Sequence, residues 1–369
     1  MAQRPDVLSK VLPHLLNLAP YEAAVPPEEM ARQAGMPEDK LVKLNANENP
    51  YGPSPRVHEA LLALGRIHLY PDPAQVLMRN AISNYVGISS KHIVVGNGSD
   101  EIIDLVFRSI LASGDAIVNC VPTFGMYDFT AQVCGGVSVE VERDRQFEIP
   151  VPIAAEAGKS AKAIVLASPN NPSGNSTPLP DIEGMLETGA IVIVDEAYVE
   201  FGGTSSVPLV KRYDNLVVLR TMSKWAGLAG LRVGYGIMAP GLADLLLRAK
   251  PPYSVSQAAE TALLASLEDV DLLNARVASI IQERSRMALA LASLEGITPL
   301  PSDANFLLCK VPDRHGRSIY EGLASRGVFV RYYARGTLTD YLRISVGTAA
   351  DTDRVVAALK EILPQPKGI

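Results

Sequence analysis

Lys224 is the residue of this sequence best placed to do chemistry. It stands in Leu219-Arg220-Thr221-Met222-Ser223-Lys224-Trp225-Ala226-Gly227, where an apolar run over 216–219 ends in a polar turn. A lysine at the end of a buried strand is poorly solvated, which disfavours the ammonium form and lowers the pKa. A neutral amine in that setting is a nucleophile able to form a Schiff base with a carbonyl. Ser223 beside it and Arg232 beyond it add a hydroxyl and a fork of guanidinium donors, a set suited to a phosphate. Alone, a Ser-Lys pair in a turn is an ordinary loop. Its meaning depends on its partners.

Four upstream segments supply them. Gly96-Asn97-Gly98-Ser99-Asp100 follows an apolar run and opens a helical pattern, so free amides and small residues there would cradle a phosphate. The third glycine of a dinucleotide fingerprint is missing. Phe124, just after Val121-Pro122-Thr123, offers a ring that either stacks on a flat cofactor or fills the core. Ser168-Pro169-Asn170-Asn171-Pro172-Ser173-Gly174 has turn composition, and within it Asn171 carries an amide able to donate to a phenolate oxygen. Asp195 ends another apolar run, where a carboxylate is costly to bury unless it meets a cation. A protonated ring nitrogen would be such a cation, and Tyr198 would reach the oxygen of the same ring; a plain helix cap is the bland alternative. Together these parts match the needs of pyridoxal 5'-phosphate: a Schiff-base lysine, an acid for the ring nitrogen, donors for the ring oxygen and a phosphate pocket.

The elements that must position them are short β-branched runs at 93–95, 116–119, 137–141, 163–167, 190–194, 216–219 and 233–238, separated mostly by helical patterns. Seven such strands predict a mainly parallel sheet covered on both faces, which binds ligands at the C-terminal ends of its strands. Every segment named above falls at one of those ends. An N-terminal arm over 1–46 lacks the strands for a core of its own and is expected to lie on another surface. The large domain spans 47–255. Residues 256–296 predict a long helix leading into a smaller α+β domain (256–369), with strands at 305–310, 328–331 and 341–345 and helices over 316–326 and 350–363.

Composition bounds the rest. With 47% apolar and 20% charged residues over 369 positions, the chain has ample material for a large core. A net charge of -6 gives no electrostatic footprint for nucleic acid. Three cysteines without C-x-x-C spacing and five histidines without an H-E-x-x-H pair give no sign of a disulfide framework or a metal site. Apolar runs fall well short of the roughly 18 to 20 residues a membrane span needs. The apolar residues of 7–16 recur at helical spacing, which reads as an amphipathic helix and not a secretory segment. A cytoplasmic setting is expected.

The sequence resembles the aminotransferases of the aspartate aminotransferase fold (fold type I pyridoxal-phosphate enzymes), and within them the histidinol-phosphate branch. Beyond the segments above, the resemblance rests on Leu44-Asn45-Ala46-Asn47-Glu48-Asn49-Pro50, Tyr70-Pro71-Asp72, Pro122 to Tyr127, Asp195-Glu196-Ala197-Tyr198, the run 221–234 and Leu342-Arg343-Ile344-Ser345-Val346-Gly347-Thr348. It covers nearly the whole chain. It implies Lys224, Asp195 and Tyr198 as catalytic residues, with Lys224 both attaching the cofactor and shuttling a proton. Gly98, Ser99, Asp100, Phe124, Asn171, Ser223 and Arg232 complete the implied cofactor site. Tyr70 is expected at the phosphate of a neighbouring subunit's cofactor, which implies a homodimer with shared sites. Phe124 stands where many of these enzymes have tyrosine. Tyr21, Asn47, Arg331 and Arg343 are the implied substrate residues, with Arg335 competing for the place of Arg331. The implied reaction joins L-histidinol phosphate and 2-oxoglutarate to imidazole acetol phosphate and L-glutamate, a step of histidine biosynthesis. An aromatic amino-acid aminotransferase, a threonine-phosphate decarboxylase and a non-catalytic binding protein on the same fold are the alternatives.

Overall fold

In the large sheet, alternate residues of the inner strands enter different cores, which is why those strands read as apolar runs. Val118, Ile164, Val192 and Val218 pack on one face, and Ile117, Val165, Ile193 and Val217 on the other. A two-sided sheet needs apolar side chains at every position. The computed structural model describes residues 6–21, 25–334 and 336–363. Its main sheet has seven strands: β1 (Ile93–Gly96), β2 (Ala116–Val121), β3 (Val137–Glu142), β4 (Ala163–Ala167), β5 (Ile191–Asp195), β6 (Leu216–Thr221) and β7 (Gly234–Met238). Their spatial order is β1-β7-β6-β5-β4-β2-β3. The contacts among β2 to β6 are parallel, whereas β7 runs antiparallel to both β1 and β6. Six strands therefore point the same way, and their C-terminal ends form one rim. The outer strand β3 is largely exposed and carries Glu140 and Glu142 at its end, charges that discourage edge-to-edge pairing.

The C-terminal part is built on a four-stranded antiparallel sheet. It contains β8 (Phe306–Lys310), β9 (Arg331–Tyr332) and β10 (Tyr341–Ser345), in the order β9-β10-β8, with the short strand Thr298–Pro299 outside β8. Two expectations need correction here. The segment 256–296 is not one helix but two, α2 (Gln257–Leu267) and α3 (Val270–Ala292), with the chain turning at Glu268 and Asp269. The strand expected at 328–331 divides as well. Val328–Phe329 pairs with Val42–Lys43 from the N-terminal arm, and Arg331–Tyr332 pairs with β10. The arm thus contributes a strand to the C-terminal part instead of only lying on it.

Candidate active site

Loops leaving the rim of the large sheet enclose a cavity of about 450 Å³. Ser99, Asp100, Phe124, Asn171, Asp195, Tyr198, Ser223, Lys224 and Arg232 all line it, so every expected cofactor residue except Gly98 and Tyr70 is on its wall. Gly98 sits just behind. Its φ of 81° is open to glycine, and a Cβ there would come within 2.7 Å of Arg232 Nη2. A second chamber of about 350 Å³ adjoins the first, shares Tyr21, Phe124, Asn171, Tyr198 and Lys224, and adds Asn47, Arg331 and Arg343. Tyr70 is elsewhere, 79% exposed and stacked on Tyr253 with ring centroids 4.4 Å apart. Arg335 lies outside the described residues.

One end of the first cavity suits a phosphate. The helix α1 (Ser99–Ile110) begins there with no side chain capping its first turn, leaving its N–H groups to a ligand. Arg232 reaches across from the start of β7, donating to Asp100 Oδ2 at 3.0 Å and to Ser223 Oγ at 3.5 Å. The chains approach closely here. A Cβ on Gly234 would sit 2.5 Å from the Ser99 nitrogen.

The opposite wall holds Asp195, 4% exposed. Tyr127 donates its hydroxyl to Asp195 Oδ2 at 2.7 Å, and the Ala197 N–H donates to Oδ1 at 3.1 Å. No cation pairs with it among the described residues. Burial pushes the carboxyl up to about 6, against the lowering effect of those two donors. A buried carboxylate with neutral donors alone is incomplete, and a protonated ring nitrogen is the partner its chemistry lacks. Phe124 and Ala197 line the same cavity, leaving room for a flat ring. Pyridoxal phosphate therefore fits at both ends.

Lys224 sits between them. Burial first, then the charge of Arg343, bring its amine down to about 8. It donates to the Ala46 carbonyl at 3.0 Å and lies 5.9 Å from the centre of the Tyr198 ring. Tyr198 is pushed up to about 12, chiefly by burial, with Arg343 and the Asn47 hydrogen bond acting against it. The Asn171 side-chain oxygen Oδ1 accepts from Arg343 Nη1 at 2.6 Å, which leaves its amino group to donate into the cavity.

In the second chamber the two arginines are register partners, Arg331 on β9 directly opposite Arg343 on β10. Arg343 also donates to the Asn45 carbonyl at 2.6 Å and lies 5.3 Å from the centre of the Phe306 ring. Arg331 lies 5.7 Å from that of Tyr333. Tyr21 closes the chamber from the arm, its ring edge-on to Phe124 at 6.3 Å. The sequence reading missed Tyr127, the Asn45 and Ala46 carbonyls and Tyr333. Only Tyr127 left a trace, in the quoted segment after Phe124. Carbonyl roles leave none, since any residue supplies one.

A sheet rim carrying a depressed lysine, a cationless buried aspartate and an open helix start defines a pyridoxal-phosphate transferase of the aspartate aminotransferase fold. The family model "Aminotransferase class I and II" matches residues 39–359. A histidinol-phosphate aminotransferase of Roseiflexus castenholzii is 46% identical over 360 residues, covering 95% of this chain and 97% of that protein. The crystal structure of histidinol-phosphate aminotransferase from Sinorhizobium meliloti in complex with pyridoxal-5'-phosphate superposes with a TM-score of 0.87 at 28% identity, covering 96% and 97% of the two chains. A Thermus thermophilus aspartate aminotransferase double mutant shares the fold, with a TM-score of 0.80 at 22% identity over 96% of this chain and 99% of that one. The chain belongs to the histidinol-phosphate aminotransferases, within the class I and II aminotransferase family.

Proposed function

We propose that the protein moves the amino group of L-histidinol phosphate to 2-oxoglutarate, giving imidazole acetol phosphate and L-glutamate. The observation that carries the reading is the pairing of the two chambers: one built for pyridoxal phosphate, the other lined by two arginines in register. When bound, pyridoxal phosphate supplies a carbonyl for the amine and a ring that draws electrons from the reacting carbon. Lys224, mostly uncharged above pH 8, holds the cofactor and then carries a proton across the face it lines. Asp195 keeps the ring nitrogen protonated, with Tyr127 holding the carboxylate in place. Asn171 and Tyr198 donate to the ring oxygen, and Ser99, Asp100, Ser223 and Arg232 surround the phosphate. Arg343 takes the anionic group of each substrate in turn, as a guanidinium fork can. Arg331, in register with Arg343, meets the same anionic group, and Tyr21 closes the chamber.

The finer assembly belongs to the same reading. We take 47–255 as the cofactor-holding unit and 256–369 as the smaller one, joined by residues of the arm that pair with Val328–Phe329. Tyr70, remote from its own cavity, points to a homodimer in which it serves the partner's phosphate. Three free cysteines, Cys120, Cys134 and Cys309, accord with a reducing cytoplasm. No described helix is long and apolar enough to cross a membrane.

A single-turnover titration of the cofactor-loaded protein tests the substrate. Histidinol phosphate should discharge the visible absorbance band at far lower concentration than phenylalanine does. Should phenylalanine act at the lower concentration, the protein is an aromatic aminotransferase and the phosphate substrate is wrong.

A further inference from the structure

Asn47 lines the second chamber with a buried side chain whose hydrogen bonds all go to other protein groups. It is 1% exposed and holds a left-handed backbone, with a φ of 54°. Its N–H donates to Ser345 Oγ at 2.9 Å, and its carbonyl accepts from Asn305 Nδ2 at 3.0 Å. Ser345 Oγ donates back to Asn47 Oδ1 at 2.8 Å, and Asn47 Nδ2 donates to the Tyr198 hydroxyl oxygen at 3.0 Å. We propose that Asn47 is a positioning residue for Tyr198: locked by Ser345 and Asn305, its amide takes the acceptor side of the phenol oxygen and leaves the phenol proton aimed into the cofactor cavity. The inference rests on the cofactor reading above.

The placed amide sets the direction of each bond. The Ser345 hydroxyl accepts from the Asn47 N–H and donates its one proton to Oδ1. Oδ1 faces Ser345, and the amino group faces Tyr198. Tyr198 is an acceptor on that side, so its own proton is spare. A donated hydrogen bond also polarises the phenol, making it a stronger donor in turn. The charged or titratable groups around the phenol are Lys224, Arg343, Asp195 and Tyr333. Among the described residues, none of these hydrogen-bonds its oxygen. Arg343 and Ser345 lie two residues apart on β10 and so project from one face of it. The strand that presents the substrate arginine also holds the lock.

A stronger phenol donor keeps negative charge on the cofactor's ring oxygen and lowers the proton affinity of the Lys224 nitrogen nearby. The readout is the pH midpoint of the visible absorbance change of substrate-free protein loaded with pyridoxal phosphate. Asn47→Gly, which tolerates the left-handed backbone, should raise that midpoint by about half to one pH unit. Ser345→Ala, which frees the amide to turn, should raise it by less. In a Tyr198→Phe background neither change should move it further. An unmoved midpoint in Asn47→Gly overturns the inference, as does an equal shift in both backgrounds. A higher KM for the amino donor with an unmoved midpoint would also overturn it, returning Asn47 to substrate contact. If the wild-type band shows no change that Lys224→Ala abolishes, the cofactor reading itself fails. A Lys224-dependent band with an unmoved Asn47→Gly midpoint sinks this inference alone.

Discussion

Asp195 is the clearest case of a residue whose cost and use are the same property. Its carboxyl is raised from 3.8 to about 6, mainly by burial. A raised acid favours folding most when protonated, so its contribution is complete below pH 3.8 and is lost as pH climbs through 6. The gap of about two units corresponds to a burden on the order of 3 kcal/mol on the cofactor-free protein at neutral pH. Asp195→Asn keeps an oxygen for the Tyr127 hydroxyl and removes the charge. In thermal unfolding of cofactor-free protein, its Tm advantage over wild type should be small at pH 4, grow to pH 6 and then level off. Activity with the cofactor should fall at least about 100-fold, because the ring nitrogen loses its counter-ion. An advantage independent of pH would deny the buried anion. Asp195 and Lys224 were legible in the sequence because each ends an apolar run, where a charge is conspicuous. The lock on Asn47 was not, since its partners Ser345 and Asn305 lie more than 250 positions away and only the fold brings them near.

At the scale of elements, the strand runs announced themselves because a sheet buried on both faces has no polar positions to blur them. The two-residue pairing of Val42–Lys43 with Val328–Phe329 was invisible for the opposite reason, as two residues carry no period. The turn between α2 and α3 was equally silent, since Glu268 and Asp269 are residues that a long exposed helix would also accept. The register of β9 on β10 matters most for specificity. Directly opposed residues share a face, so Arg331 and Arg343 meet any anion entering the second chamber from the same side. A guanidinium–phosphate pair contributes on the order of 1.5 to 3 kcal/mol, so Arg331→Ala should weaken histidinol phosphate about 10-fold or more in single-turnover titrations. Phenylalanine, with a singly charged carboxylate and no phosphate, should change by less than about threefold. Equal losses for both would assign Arg331 to the shape of the chamber and leave its charge without a part in choosing the substrate.

At the scale of the whole molecule, the proposed homodimer turns on Tyr70. Like Leu62, Ile67 and Leu69 near it in sequence, it is exposed, and none of the four lines its own cofactor cavity. A tyrosine stacked on Tyr253 there has a preformed direction and lines neither chamber of its own subunit. If the target is the partner's phosphate, each site needs residues from two chains, and complementation can prove it. Lys224→Ala and Tyr70→Ala should each be strongly impaired alone. In a mixed dimer, one site would receive both defects and the other neither. With random pairing of equal amounts, half the dimers are mixed and each regains one of two sites, so about a quarter of wild-type activity should return. A tyrosine acting within its own subunit would leave every mixed site damaged, and no activity would return.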